Sequence, residues 1–247
     1  MTLLLTRRSI LTCTNCNLSS SCRRPVPFSG DPPSPYVIVG EAPGEEEDAK
    51  GKPFIGSAGR YLRSVLDAYD GPVSDTFAYV NAVCCYPKRT PSSREVDACR
   101  GNLDAQLSLL RPVDVLFLGG VSVSGFVKVR IGELRGRWFS IVYPGRDNAV
   151  RAYATWHPSA ALRAGKDSPL DKEFVDDLRE WAGVIMGDRE PSDNRTCVKC
   201  RREVEVWDDN KLGWCREHGA SIAKVGGRKR KAAKRPASVD TVQQGLL

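Results

Sequence analysis

From Tyr36 to Met186 the chain alternates short, almost wholly apolar runs with stretches whose apolar residues recur every three to four positions. Runs without a polar face belong to strands covered on both sides, and the helical stretches between them supply the cover. The alternation therefore predicts an α/β fold, a three-layer α/β/α sandwich around a mostly parallel central sheet. Strands are expected at Tyr36 to Val39, Thr76 to Val83, Val113 to Leu118, Ser140 to Tyr143 and Ala149 to Trp156. Helices are expected near Ala58 to Tyr69, from about Ser93 to Leu110 and, as a shorter amphipathic piece, over Ser122 to Val129. Ser92 with Glu95 forms a capping box for the second of these. A final helix opens with Ser168 as cap and Pro169 in its first turn, and places Phe174, Leu178, Trp181 and Ile185 on one face.

In such sheets a ligand crevice lies beyond the carboxyl ends of the strands. Three marked segments fall there: Gly40-Glu41-Ala42-Pro43-Gly44, Asn81, and Trp156-His157-Pro158-Ser159. The glycine-rich loop permits close backbone approach and Pro43 stiffens it, which suits gripping a flat ligand by its edges. It is not a phosphate loop, because Gly51-Lys52 is followed by Pro53 and Glu46 stands where the first glycine should be. The carboxylates of Glu45 to Asp48 would also repel phosphate; as a run they read as a solvated acidic face. An Asn inside a strand needs hydrogen-bond partners, either a neighbouring loop or a ligand edge. His157 sits where a strand gives way to a Pro-constrained loop.

At 247 residues the chain can hold one full-sized core and an appendage. The expected organisation is a body over 1–186, a linker over 187–196, a cysteine-rich unit over 197–218 and a basic, disordered tail over 219–247. No run is long enough to cross a bilayer, and Arg7 and Arg8 follow the first apolar patch, the reverse of a secretory signal. A cytoplasmic monomer with no membrane partner is the expectation. The net charge of +7 favours an acidic partner, with most of the surplus after Glu190 and a basic run from Arg228 to Arg235 suited to phosphate.

Nine cysteines without a secretory context point to metal ligation. Cys197-x2-Cys200 with Cys215-x2-His218 has the spacing of a structural zinc site with three sulfurs and one nitrogen. Val204 to Trp207 and Leu212 to Trp214 read as a hairpin between the ligand pairs. A unit this small needs its metal to fold, and it is expected to contact DNA or dock a protein partner. Residues 1–35 are polar and hold little for a core apart from Cys13 and Cys16, so something must anchor them.

Gly40-Glu41-Ala42-Pro43-Gly44, the continuation Gly51-Lys52-Pro53-Phe54-Ile55-Gly56, Asn81 four residues before Cys85, and His157-Pro158-Ser159 with Arg163 together resemble the iron–sulfur uracil-DNA glycosylases called family 4. The resemblance runs in order from about Cys13 to Met186. It implies a DNA repair enzyme that flips uracil out of DNA and hydrolyses its N-glycosidic bond, leaving an abasic site. It implies a [4Fe–4S] cluster on Cys13, Cys16, Cys85 and Cys99, with zinc on the same four as the metal alternative and Cys84 as an alternative to Cys85. Cys22 matches nothing in the pattern and is expected to be a free thiol.

The same resemblance makes Phe54 the stacking face, Asn81 the reader of the pyrimidine edge, and the backbone of Gly40, Ala42 and Gly44 the rest of the base grip. His157 would donate to the uracil carbonyl. Glu41 would stabilise the sugar cation and hold the attacking water, with Glu47 in reserve. Ser159, Leu162 and Arg163 fall on the loop that contacts DNA, Leu162 as a wedge. Another deaminated base as substrate, or a noncatalytic DNA-binding adaptor, are the rival readings.

Overall fold

In the computed structural model, residues 2–127, 129–146 and 149–189 are described, together with the backbone of 206–207 and 213–214. In chain order the body runs α1 (Leu3–Leu11), β1 (Tyr36–Gly40), α2 (Glu45–Lys50), α3 (Ser57–Asp70), β2 (Ala78–Asn81), α4 (Ser93–Leu110) and β3 (Asp114–Leu118). It continues with α5 (Gly120–Val123), α6 (Ile131–Leu134), β4 (Arg137–Ile141), β5 (Val150–Thr155), α7 (Pro158–Ala164) and α8 (Pro169–Met186). The sheet order is β2-β1-β3-β5-β4, all parallel except β4, which runs antiparallel to β5 at the edge.

Alternation along β1 explains the two apolar layers. Val37 and Val39 face one side and pack with Phe28, Val80, Leu107 and Phe117, while Ile38 faces the other and packs with Leu62, Leu66, Leu116 and Trp181. On that second side α8 buries Phe174, Leu178, Trp181 and Ile185, the predicted face. Ser92 and Glu95 cap α4 reciprocally, and Ser168 caps α8 with Pro169 in the first turn, both as read from the sequence. The chain order reverses between β1 and β3, so the topological switch point opens at the end of β1.

Several boundaries differ from expectation. Regular pairing on the second strand spans only Ala78–Asn81, because Val73–Thr76 coils into a 3-10 turn; beyond it, the amides of Ala82 and Val83 still donate to the carbonyls of Gly40 and Glu41 at 2.9 and 3.0 Å. The edge strand starts earlier, at Arg137, and the expected piece over Ser122 to Val129 is helical only as Gly120–Val123. The acidic run is helix α2, with Glu47 and Asp48 buried, and the loop after His157 is helix α7. Nor are residues 1–35 without a core. Ile10 and Leu18 pack with Cys84, Cys85, Val96 and Cys99 in a third apolar cluster.

β6 (Val206–Trp207) pairs antiparallel with β7 (Gly213–Trp214), the expected hairpin. The residues expected to bind zinc, Cys197, Cys200, Cys215 and His218, and the basic run lie outside the described residues, as does most of the expected linker. Among the described residues no helix is long and apolar enough to cross a membrane.

Candidate active site

Parallel register sets Gly40 beside Asn81 at the carboxyl ends of β1 and β2. A Cβ on Gly40 would lie 2.5 Å from Asn81 Oδ1 and 2.6 Å from Phe54 Cζ, so the absence of a side chain lets amide and ring close on the strand end. Phe54 holds φ at 57°, a left-handed conformation that costs a non-glycine residue about 1–3 kcal/mol. Its ring packs against Tyr79 at a centroid distance of 5.1 Å. Phe54, Asn81, His157, Ala42, Gly44, Glu47 and Ser159 line one cavity of about 350 Å³. That is within the range for small-ligand sites.

Glu47 ties the cavity's two lips. One carboxylate oxygen accepts the Gly44 amide at 3.2 Å and the other accepts the Gly56 amide at 2.8 Å. The next residue, Asp48, accepts the Arg23 amide with both oxygens, at 3.0 and 3.1 Å. Helix α2 thus pins the cavity loops through one carboxylate and the N-terminal segment through the other.

On the opposite wall His157 caps α7. Its Nδ1 accepts the Ser159 amide at 3.2 Å and lies 2.7 Å from Ser159 Oγ. An amide can only donate, so Nδ1 is bare and the neutral ring carries its proton on Nε2. Burial, reinforced by the positive charge of Arg163, holds the imidazole pKa down at about 4. From the backbone side, a Cβ on Gly119 would stand 3.0 Å from His157 Cβ. Gly119, not anticipated from the sequence, gives the imidazole its room at the end of β3.

Glu41 follows Gly40 directly and is half-buried. Burial raises its carboxyl pKa and Arg163 opposes the rise, so Glu41 and His157 sit in the field of one guanidinium. Glu41 is not among the residues lining the cavity, whereas Glu47 is. The Ser159 hydroxyl, expected toward DNA, is on the imidazole instead. Leu162, 41% exposed, lines a neighbouring hollow with Tyr61, Val65 and Asp171.

Residues 27–179 match the family model described as the uracil DNA glycosylase superfamily. The chain belongs to that superfamily. Among its relatives, the "Type-4 uracil-DNA glycosylase" of Pyrobaculum aerophilum is 34% identical over 184 residues, 70% of this chain and 90% of that one. The proteins of the same name from Thermotoga maritima and Archaeoglobus fulgidus are 34% and 30% identical, over 70% and 75% of this chain and 89% and 94% of theirs.

In this member of the uracil DNA glycosylase superfamily, Cys13, Cys16, Cys84, Cys85 and Cys99 line a second, small hollow, with Asn102 beside them. Among the described residues no three ligand side chains converge as a site for one metal ion. The lining supplies thiols as its metal-ligating side chains, the donor type that iron–sulfur clusters take. The Cys84 thiol and amide both donate to Cys99, which lowers the Cys99 pKa and raises that of Cys84. Cys22 packs against this group; burial, reinforced by the Cys22 thiol, raises the pKa of Cys85. The cavity is joined to this region directly, since Ala42, which lines it, packs on the cysteine cluster.

Proposed function

We propose that this protein flips uracil out of DNA and hydrolyses its N-glycosidic bond, leaving an abasic site. The observation that carries the reading is the meeting of Phe54, Asn81 and His157 around one cavity at the strand ends of a superfamily fold. A flipped pyrimidine lies against the Phe54 ring. The Asn81 amide pairs with its polar edge, and backbone amides of Gly40 to Gly44 complete the grip. As the bond to the sugar breaks, charge gathers on a uracil carbonyl oxygen, and His157 donates to it from Nε2 without itself being a cation. A preorganised donor of this kind contributes about 3–4 kcal/mol. Glu41, ionised, faces the sugar as it becomes cation-like and holds the attacking water. Glu47 is less suited to that task, both of its oxygens being engaged by amides. Arg163 and Leu162 project from α7 toward the DNA, while Ser159 orients the imidazole.

Cys13, Cys16, Cys85 and Cys99 would hold the [4Fe–4S] cluster. Cys85 is favoured over Cys84 because it is the one that opens a Cys-x-Pro spacing, Cys85-Tyr86-Pro87, with Cys84 as the alternative. A cluster there would supply a tie between the N-terminal segment and the body rather than a reaction step. Cys197, Cys200, Cys215 and His218 would hold zinc, on the strength of their spacing and the hairpin between them. The body over 1–186 would act as the catalytic unit, with the 197–218 module and the basic tail adding nucleic-acid or protein contacts.

The test is base release from a uracil-containing oligonucleotide, read by alkaline cleavage. Hypoxanthine and xanthine duplexes run in parallel, with iron, sulfide and zinc measured on anaerobically purified protein. Uracil-specific release that collapses in His157→Ser supports the proposal. Preference for another base moves the substrate, and release unaffected by His157→Ser removes the mechanism.

A further inference from the structure

Next to the thiols stands a side chain that neither the fold nor the cavity requires to be polar. Asn102 lies one helical turn after Cys99 on α4, is 8% exposed, and directs its Nδ2 to Cys13 Sγ at 3.3 Å and to Cys99 Sγ at 3.7 Å. Its backbone carbonyl accepts Gln106 Nε2 at 3.1 Å, and that amide also reaches Cys84 Sγ at 3.7 Å. The Cys84 amide adds a donor to Cys99 Sγ at 3.3 Å. A metal-bound sulfur can only accept, so the Asn102 amide must present its NH2 and not its oxygen to the two sulfurs, which is the orientation found here.

We propose that Asn102 is a positioning residue for the iron–sulfur centre: its two N–H···S bonds hold Cys13 and Cys99 in register and raise the reduction potential of the cluster. The inference rests on the cluster reading above. Hydrogen bonds to ligand sulfurs stabilise the form with more negative charge, and in a buried site that stabilisation is large. When one electron enters the centre from a reductant such as dithionite, no bond is made or broken; the added charge spreads onto the sulfurs that Asn102 faces. Asn102 also links segments distant in sequence, because Cys13 belongs to the N-terminal segment and Cys99 to α4.

The experiment is a mediated redox titration of the full-length, anaerobically purified protein, followed by visible absorbance and paired with iron and sulfide analysis. Asn102→Leu keeps the volume and removes both donors. It is expected to load iron and to shift the oxidised-to-reduced ratio at fixed potential about tenfold toward oxidised, which is about 59 mV for one electron. Should Asn102→Leu fail to load, Asn102→His, which restores an N–H in similar space, is expected to load. An Asn102→Leu protein with full iron and an unchanged or raised potential overturns the inference alone, as does failure of both variants to load. Wild-type protein without iron overturns the cluster reading and this inference together.

Discussion

A ring whose Nδ1 accepts an amide proton carries its own hydrogen on Nε2, and His157 is held in that state by Ser159 on one side and by burial and Arg163 on the other. A donor that is neutral throughout the working range gives no pH limb near the ordinary histidine value of about 6.5. The acid limb of base release should come instead from Glu41, whose carboxyl is raised above its ordinary value by burial. Activity is expected to fall on acidification at a pH above the usual carboxylate range, and Glu41→Gln should lower the rate and flatten that limb. A profile of kcat/KM against pH for both proteins decides the point. His157→Ser should cost about 10²- to 10³-fold in kcat, while serine can still cap α7. The depressed imidazole pKa also makes stability pH-dependent. The unfolded chain binds the His157 proton below about 6.5, and the folded one only near 4, so stability present above 6.5 is lost as pH falls toward 4. Allowing for partial exposure of the ring, that loss is about 2–3 kcal/mol. Chemical denaturation at pH 7 and pH 4.5 should show a smaller difference for His157→Ser than for wild type.

At the scale of elements, α2 concentrates what the sequence concealed. A six-residue helix has too few turns for a period to register, and four consecutive acidic residues resemble a solvated face. Two of them are buried because backbone amides neutralise the cost: Gly44, the helix's own N-cap, and the more distant Gly56 for Glu47, and Arg23 for Asp48. Gly56 and Arg23 lie outside the helix and its cap, so nothing in residues 45–50 announces them. Helix α1 is obscure for the opposite reason. Its leucines at 3, 4, 5 and 11 are exposed, and the burial falls on Thr6 and Ile10. In α7 the signal was present as Pro158 in the first turn, with His157 as an unusual cap. Long elements with full periods, α4 and α8, were legible to their capping residues. Glu47→Ala should leave two amides without acceptors, at about 1–3 kcal/mol apiece, and let both lips of the cavity move. The expected result is a lower melting temperature together with a raised KM, and Glu47→Gln, keeping one acceptor oxygen, should fall between. A melting temperature lowered with KM unchanged would confine Glu47 to stability.

For the whole molecule, the apolar alternation specified a parallel sheet but not its order, since β2-β1-β3-β5-β4 depends on which helix covers which face. Once the order places the switch point at β1 and β3, the residues proposed to read the base need no further part of the chain: the cavity is lined wholly by residues between Ala42 and Ser159. Charge is distributed differently. Six basic side chains lie between Arg228 and Arg235, far along the chain from that cavity. Attraction to phosphate and selection of the base are therefore separable. A chain ending at residue 227 should bind duplex DNA more weakly at low salt, with a slope of log affinity against log salt shallower by about 5 if each of the six neutralises one phosphate. Single-turnover base release at saturating enzyme should be unchanged, because the tail lends affinity and not chemistry. Equal slopes for the two chains would place the tail off the DNA backbone, and a slowed single turnover would mean that it reaches the site itself.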